Sequence, residues 1–286
     1  MQNIANLKYQ NNLELKLKTN SSGQTICHHQ YTTYPLRLSS VFRLEKVNSN
    51  RAYIYLINTS PGLLAGDELN LDLQLAAHTN LYLTDQAATK VHPMPKINTK
   101  AVVNYQILIA ADASLELVPE PIILYKDSFL EQKTSIKLHS TAQLFFSEII
   151  LPGRLAKQEY YDFNYYLNRL RVTDLQDNLL FTDAWRLSGQ ANKFASNKLF
   201  TSLPILGNAI AVVPDIDLKL LTAKLEDNDL KLSQNLEVAT TILPNCNGIL
   251  IRALGNKTME LKSYFTHAIN CIRTMTAQSS LPYIAK

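Results

Sequence analysis

The sequence is short of the residues that would tie it to several familiar classes. Its three cysteines, Cys27, Cys246 and Cys271, are too few and too far apart for a disulfide framework or a Cys-rich zinc site. A reducing compartment is the economical reading. Charge is also scarce. Only 18% of residues are charged, and 28 basic against 24 acidic residues leave a net +4, too small and scattered to call for nucleic acid. No run approaches the roughly 20 apolar residues of a membrane helix. The longest apolar blocks, such as Ala142 to Leu151, are broken by Gln143, Ser147 and Glu148. The N-terminal stretch has no basic start followed by an apolar run, as a signal peptide would. The expectation is a cytoplasmic protein with no membrane and no nucleic acid as partner.

Catalytic signatures are missing too. There is no Gly-x-x-x-x-Gly-Lys-Ser/Thr loop, no Gly-x-Ser-x-Gly elbow and no redox pair of cysteines. No spacing of carboxylates reads as a glycosidase pair. What is present is a hydrophobic fraction of 46% in 286 residues. A chain of that length buries roughly 75% of its extended surface and needs neither disulfide nor metal to hold a core.

The first two thirds predict strands. Leu13, Leu15 and Leu17 alternate with Glu14, Lys16 and Lys18, and Leu69, Leu71, Leu73 and Leu75 alternate with polar residues. Further strands are expected over Arg51 to Asn58, Val102 to Ile109, Ser114 to Val118, Ile122 to Tyr125, Thr134 to Leu138, Gln143 to Ile150, Tyr160 to Val172 and Leu179 to Trp185. The connections leave no room for crossover helices, so the core reads as antiparallel or mixed β. No exact repeat marks a regular solenoid. The last third changes character. Short helices are expected over Asp215 to Leu225 and Leu230 to Thr240, and a strand over Asn247 to Leu254. A longer helix is expected over Thr258 to Met275, where Leu261, Tyr264, Phe265, Ala268, Ile269 and Ile272 form an apolar stripe. The polar segment 188–202 reads as a mobile loop or one ordered only by a partner. Residues 1–286 are taken as a single domain.

Four places invite a chemical reading. The turn Pro61 to Asp67, with Gly62 and Gly66, joins two strands and ends in Asp67, a turn-capping residue. The stretch Leu83 to Met94 gathers Thr84, Asp85, Thr89, Lys90, His92 and Met94 into one short loop. His92 and Met94 suit a soft or borderline metal, and so do Cys27 and His29, which would share a strand face. Neither pair has the ligand count of a closed site, and plain structure or partner contact is the competing reading. Among carboxylates, Glu116 and Glu120 flank Pro119, and Glu148 lies in an apolar strand. A buried Glu148 must be protonated or paired, and Arg154, past the Pro152–Gly153 turn, is a natural partner for Glu148 or Glu159.

The order of these blocks resembles the urease accessory protein UreD family, called UreH in some bacteria. The resemblance covers about residues 35–275. It begins at Pro35–Leu36–Arg37 and continues through the Gly62 to Asp67 turn. It is best in Leu83 to Lys90, where the family has Leu-Thr-Thr-x-x-Ala-Thr-Lys. It extends through Leu115 to Tyr125, through Phe146 to Arg154 with Gln158–Glu159–Tyr160, and through Gly248 to Leu254 with Arg252. Asp85 stands where the family usually has a second Thr, Pro61 and Ala65 replace turn glycines, and Leu117 and Ser147 replace tryptophans.

The resemblance implies a mainly β protein with a many-stranded β-helical core and a few helices, mostly in the C-terminal third. It implies a non-catalytic urease maturation scaffold. Such a scaffold binds a UreF-like protein, joins a UreG-like GTPase through the complex, and docks on apo-urease. A homo-oligomer of that complex is allowed. No tightly bound cofactor is implied, only nickel in transit through a water-filled passage. The motif residues Gly62, Gly66, Asp67, Thr84, Thr89, Lys90, Glu116, Glu120, Glu148, Arg154, Glu159 and Arg252 become partner, passage or structural candidates. His92, Met94, Cys27 and His29 are candidates for weak metal contact. The rival readings are a β-helical carbohydrate-active enzyme and a generic β-rich interaction domain.

Overall fold

The computed structural model describes residues 10–45, 50–95, 99–191, 193–226 and 235–286. The chain opens with an antiparallel hairpin, β1 (Leu13–Thr19) and β2 (Thr25–Thr32). A second antiparallel pair follows, β3 (Leu36–Leu38) and β4 (Ala52–Asn58). From there the chain winds. It passes from β5 (Glu68–Leu75) to β6 (Asn80–Asp85) to the short β7 (Thr89–Val91). The next coil repeats this path as β8 (Ala101–Ile109), β9 (Ser114–Leu117) and β10 (Ile122–Leu124). A third follows as β11 (Phe129–Leu138) and β12 (Gln143–Leu151). β13 (Tyr165–Thr173) and β14 (Leu179–Leu187) complete a seven-stranded sheet of order β14-β13-β11-β8-β5-β1-β2.

Each coil places at least one strand in each of two sheets, so like strands stack in parallel. β5 pairs with β8, β8 with β11 and β11 with β13, all parallel. In the second sheet β4, β6, β9 and β12 are parallel neighbours. Parallel strands need a long connection, normally a helix. Here the connection is a strand of the opposite sheet, as in a solenoid. The turns between sheets also stack. Residues 76–79, 110–113 and 139–142 occupy equivalent corners, tied by Ser114 N to Thr79 O (2.8 Å) and Gln143 N to Ala113 O (2.8 Å). The repeat is geometric and carries no repeated sequence.

The winding then stops. A short helix, α1 (Lys198–Ser202), precedes β15 (Ile205–Val212), which pairs antiparallel with β12. After α2 (Leu218–Glu226), β16 (Leu236–Ile242) and β17 (Gly248–Gly255) finish the second sheet as antiparallel strands, and α3 (Thr258–Met275) packs on it. The second sheet thus has two covered faces. One packs on the first sheet through Leu81, Leu83, Phe146 and Ile210. The other packs on α2 and α3 through Tyr82, Phe145, Ala209, Leu261 and Phe265. Every residue of β15 is buried for that reason. Gly207 lets the helix come close, since a Cβ there would lie 3.0 Å from Leu261 and Phe265 side-chain atoms.

Three expectations change. The helix expected over Leu230 to Thr240 is replaced, from Leu236 onward, by β16, because the free edge of β17 offers a hydrogen-bonded partner that a short isolated helix lacks. Residues 230–234 of that expectation lie outside the described residues. The strand expected from Thr134 starts at Phe129, and the one expected from Tyr160 starts at Tyr165. In the segment 188–202, the rings of Phe194 and Phe200 gather around Tyr161, with centroids 5.1 and 6.4 Å away. No described helix is long and apolar enough to cross a membrane.

Candidate functional site

A cavity of about 150 Å³ opens between the two sheets, beside the loops that the sequence singled out. Its outer wall is made by Ser60 to Gly62 and Gln86 to Lys90, and its inner wall includes Tyr105, Gln132 and Glu148. The glycine turn and the 83–94 loop meet here because their backbones pair. Leu63 N donates to Lys90 O at 2.8 Å and His92 N to Leu63 O at 2.9 Å. Gly62 has φ +147, and a Cβ on it would lie 2.4 Å from Lys90 O, so only glycine fits. Asp67 caps its turn by accepting from Leu64 N at 2.7 Å.

At the inner end, Glu148 projects from β12 into the space between the sheets. Gln132 from β11 donates its amide to one carboxyl oxygen, and Asn168 Nδ2 from β13 donates to the other at 2.5 Å. Among the described residues, no cation touches it directly. Burial pushes its carboxyl up to about 7, and the two amide bonds offset this only in part. Asp85 lies at the other end. Its Oδ2 accepts from Glu120 N at 3.1 Å, and burial pushes this carboxyl up to about 7 as well. Thr84, next to it, donates to Val118 O at 2.6 Å. Glu120 is different. Burial alone would raise its pKa, but hydrogen bonds from Lys262 and Lys286 hold it below the usual carboxylate range.

The structure therefore brings Gly62, Thr84, Thr89, Lys90, Glu120 and Glu148 to one neighbourhood. It separates the others. Arg154 does not reach Glu148. It emerges beyond the end of β12, pairs with Glu159 through two hydrogen bonds, and lies over the Tyr125 ring at 4.6 Å. Glu148 points the other way, into the sheets. Glu116 faces the helices, where Arg273 grips both its oxygens at 2.8 and 2.6 Å. Arg51 stands 3.5 Å from Glu116, and Glu45 bridges Arg51 and Arg273. This is a matched ionic cluster that fastens α3 to the second sheet. Arg252 pairs with Asp183 at 2.6 Å and covers the Trp185 ring at 4.7 Å.

The metal-like pairs do not assemble. A bulge in β2 sets Cys27 opposite inward-facing Leu17 and His29 opposite outward-facing Lys16, so they do not share a face. The Cys27 thiol donates to His29 O at 3.4 Å, while the His29 ring meets Glu14 at 3.1 Å. His92 is bonded to Pro61 O at 3.1 Å, and Met94 is buried in the core. Among the described residues, no group of three or more His, Cys, Asp and Glu side chains could hold a metal ion.

Sequence reading missed Gln132 and Asn168. Their signal was available, since each is a polar residue at an inward position of an alternating strand, Leu130-x-Gln132-x-Thr134 and Tyr166-x-Asn168-x-Leu170. It also missed Lys262, Lys286, Arg51 and Asp183, which reach their partners across more than 60 residues of chain or from a neighbouring strand.

Fold and cavity together define a class, a two-sheet β-superhelical scaffold whose interior carries a carboxyl, Glu148, held by amides rather than by a cation. Comparison with known proteins narrows this. The family model described as UreD urease accessory protein matches residues 10–286, and the chain belongs to that family. A urease accessory protein UreD from Trichodesmium erythraeum is 55% identical over 276 residues, 96% of this chain and 99% of its own length. A urease accessory protein UreH from Helicobacter hepaticus is 29% identical, over 88% of this chain and 94% of its own length. A UreD from Haloarcula marismortui is 28% identical over 88% and 82%. The chain is a non-catalytic accessory protein of urease maturation.

Proposed function

We propose that this chain links a UreF-like protein, and through it a UreG-like GTPase, to apo-urease, and that nickel crosses it through the cavity between the sheets. The observation that carries the reading is the pairing of Asp85 and Glu148 in one cavity, both pushed up to about 7 by burial. A carboxyl poised near neutrality can release its proton as a divalent cation arrives and take it back as the cation leaves. Among the described residues, Glu148 meets amide donors alone, so no described cation competes for it. A closed cage of several ligands would hold nickel too tightly to pass it on. GTP hydrolysis belongs to the GTPase partner in this scheme.

The test is co-expression of apo-urease and the accessory proteins with this chain carrying Glu148→Gln or Asp85→Asn. The expected outcome is a folded complex of normal composition that loads less nickel into urease and hydrolyses less urea. Full nickel loading with both substitutions together would overturn the passage and leave only the scaffold.

A further inference from the structure

Beyond α3 the chain forms no helix or strand, yet it crosses back over the second sheet. Gln278 bonds Gln143 at 3.1 Å, Leu281 N bonds Asn270 Oδ1 at 2.7 Å, and Tyr55 donates to Ala285 O at 2.8 Å. Leu281 and Ile284 are half-buried against the helix-side core, whereas Tyr283 is 88% exposed. This strap ends by placing the Lys286 ammonium at the Asp85–Glu120 end of the cavity. The ammonium donates to Thr84 Oγ1 at 2.7 Å, to the main-chain Asp85 O at 3.1 Å and to a carboxylate oxygen of Glu120. Its side chain is only 26% exposed. A hydroxyl, a carbonyl and a carboxylate around one point are the oxygen donors that a divalent cation also takes. The Asp85 carboxyl adds a fourth oxygen source beside them.

We infer that the Thr84–Asp85–Glu120 mouth is a divalent-cation site held shut by the Lys286 ammonium, so that the strap must lift before a cation enters there. The inference deepens the passage reading and rests on it for the identity of the cation. Several features make the lift reversible. Lys262 from α3 binds the second Glu120 oxygen at 2.5 Å and stays when Lys286 leaves, so the carboxylate is never stranded. Lys286 shares the Glu120 carboxylate with Lys262, and two like charges on one carboxylate oppose its seating. The strap is anchored by single hydrogen bonds and two half-buried side chains rather than by a strand pairing.

The experiment uses the full chain. Ni²⁺ alone is the probe, and affinity is read by competition with a chromogenic chelator. Lys286→Met keeps the apolar stem and removes the charge. It should tighten nickel binding by about tenfold or more, since a like charge at the site is lost. Lys286→Arg should bind as the unaltered chain does. Adding Glu120→Gln to Lys286→Met should cancel the gain. Tyr55→Phe, which loosens the strap without touching the mouth, should give a smaller gain and covers the case in which Lys286→Met fails to fold. Unchanged affinity in Lys286→Met and Tyr55→Phe, or a gain that survives Glu120→Gln, would overturn the inference. The passage reading fails separately, by full urease activation with Asp85→Asn and Glu148→Gln.

Discussion

Two sets of buried carboxyls lie on opposite faces of the second sheet. Glu116, on the helix face, meets two arginines and is locked into a cluster with Glu45. Glu148, on the face toward the first sheet, meets two amides. Both are almost fully buried, so burial alone does not decide their behaviour. The partner does. An arginine fixes the charge and makes the group structural. An amide supplies hydrogen bonds without charge and leaves the proton exchangeable near neutrality. Among the described residues, arginines therefore gather where α3 is held, and none touches Glu148 on the opposite face.

The largest expected effect tests the matched side. Arg273→Ala leaves Glu116 and Glu45 buried with one fewer cation and should destabilise the fold by about 3–5 kcal/mol. Urea denaturation reads this directly. A loss below 1 kcal/mol would mean that Arg51 alone neutralises the cluster, and the comparison would weaken.

The unmatched side should respond with the opposite sign. The folded Glu148 pKa of about 7 stands above the ordinary 4.5, so the folded state holds its proton where the unfolded chain has lost it. Stability from this group is present below pH 4.5 and is lost as pH rises toward 7. Glu148→Gln cannot lose a proton. It should be more stable than the unaltered chain at pH 8 by on the order of 2–3 kcal/mol, with the gap closing near pH 4.5. Thermal unfolding across that range checks it. A Gln variant that is less stable at every pH would show that Glu148 is charged and structurally paired.

A smaller effect tests the cavity's outer wall. Gly62→Ala forces a Cβ onto Lys90 O and strains a backbone that favours glycine, at a cost of roughly 1–3 kcal/mol. Its nickel delivery should fall more than its stability, since the turn and the 83–94 loop shift together. The smallest effect belongs to the metal-like pairs outside the cavity. Replacing Cys27 and His29 together by alanine should leave nickel affinity unchanged in calorimetric titration. A measurable loss would place a metal contact on the β2 face.

Much of this was legible beforehand. Period-two alternation located most strands, and the apolar stripe of α3 gave its bounds as Thr258–Met275. Glycine at 62 and the order of motif blocks pointed to the loops that border the cavity. The choice of Glu159 over Glu148 as the partner of Arg154 was not legible, because it depends on the path of the chain beyond the end of β12. Nor was the split between Cys27 and His29, since one extra residue in β2 flips every side chain beyond it.

The sequence by itself determined the local periods, the absence of catalytic and metal signatures, and the family. Those depend on neighbours along the chain. Only the tertiary structure decided that β5, β8 and β11 stack as coils, that Gln132 and Asn168 rather than Arg154 meet Glu148, and that Lys286 returns to Glu120. Those partners lie on different coils or at opposite ends of the chain. No spacing along the sequence encodes the distance between sheets, and the proton affinity of a buried carboxyl is set by whatever the opposite sheet places against it.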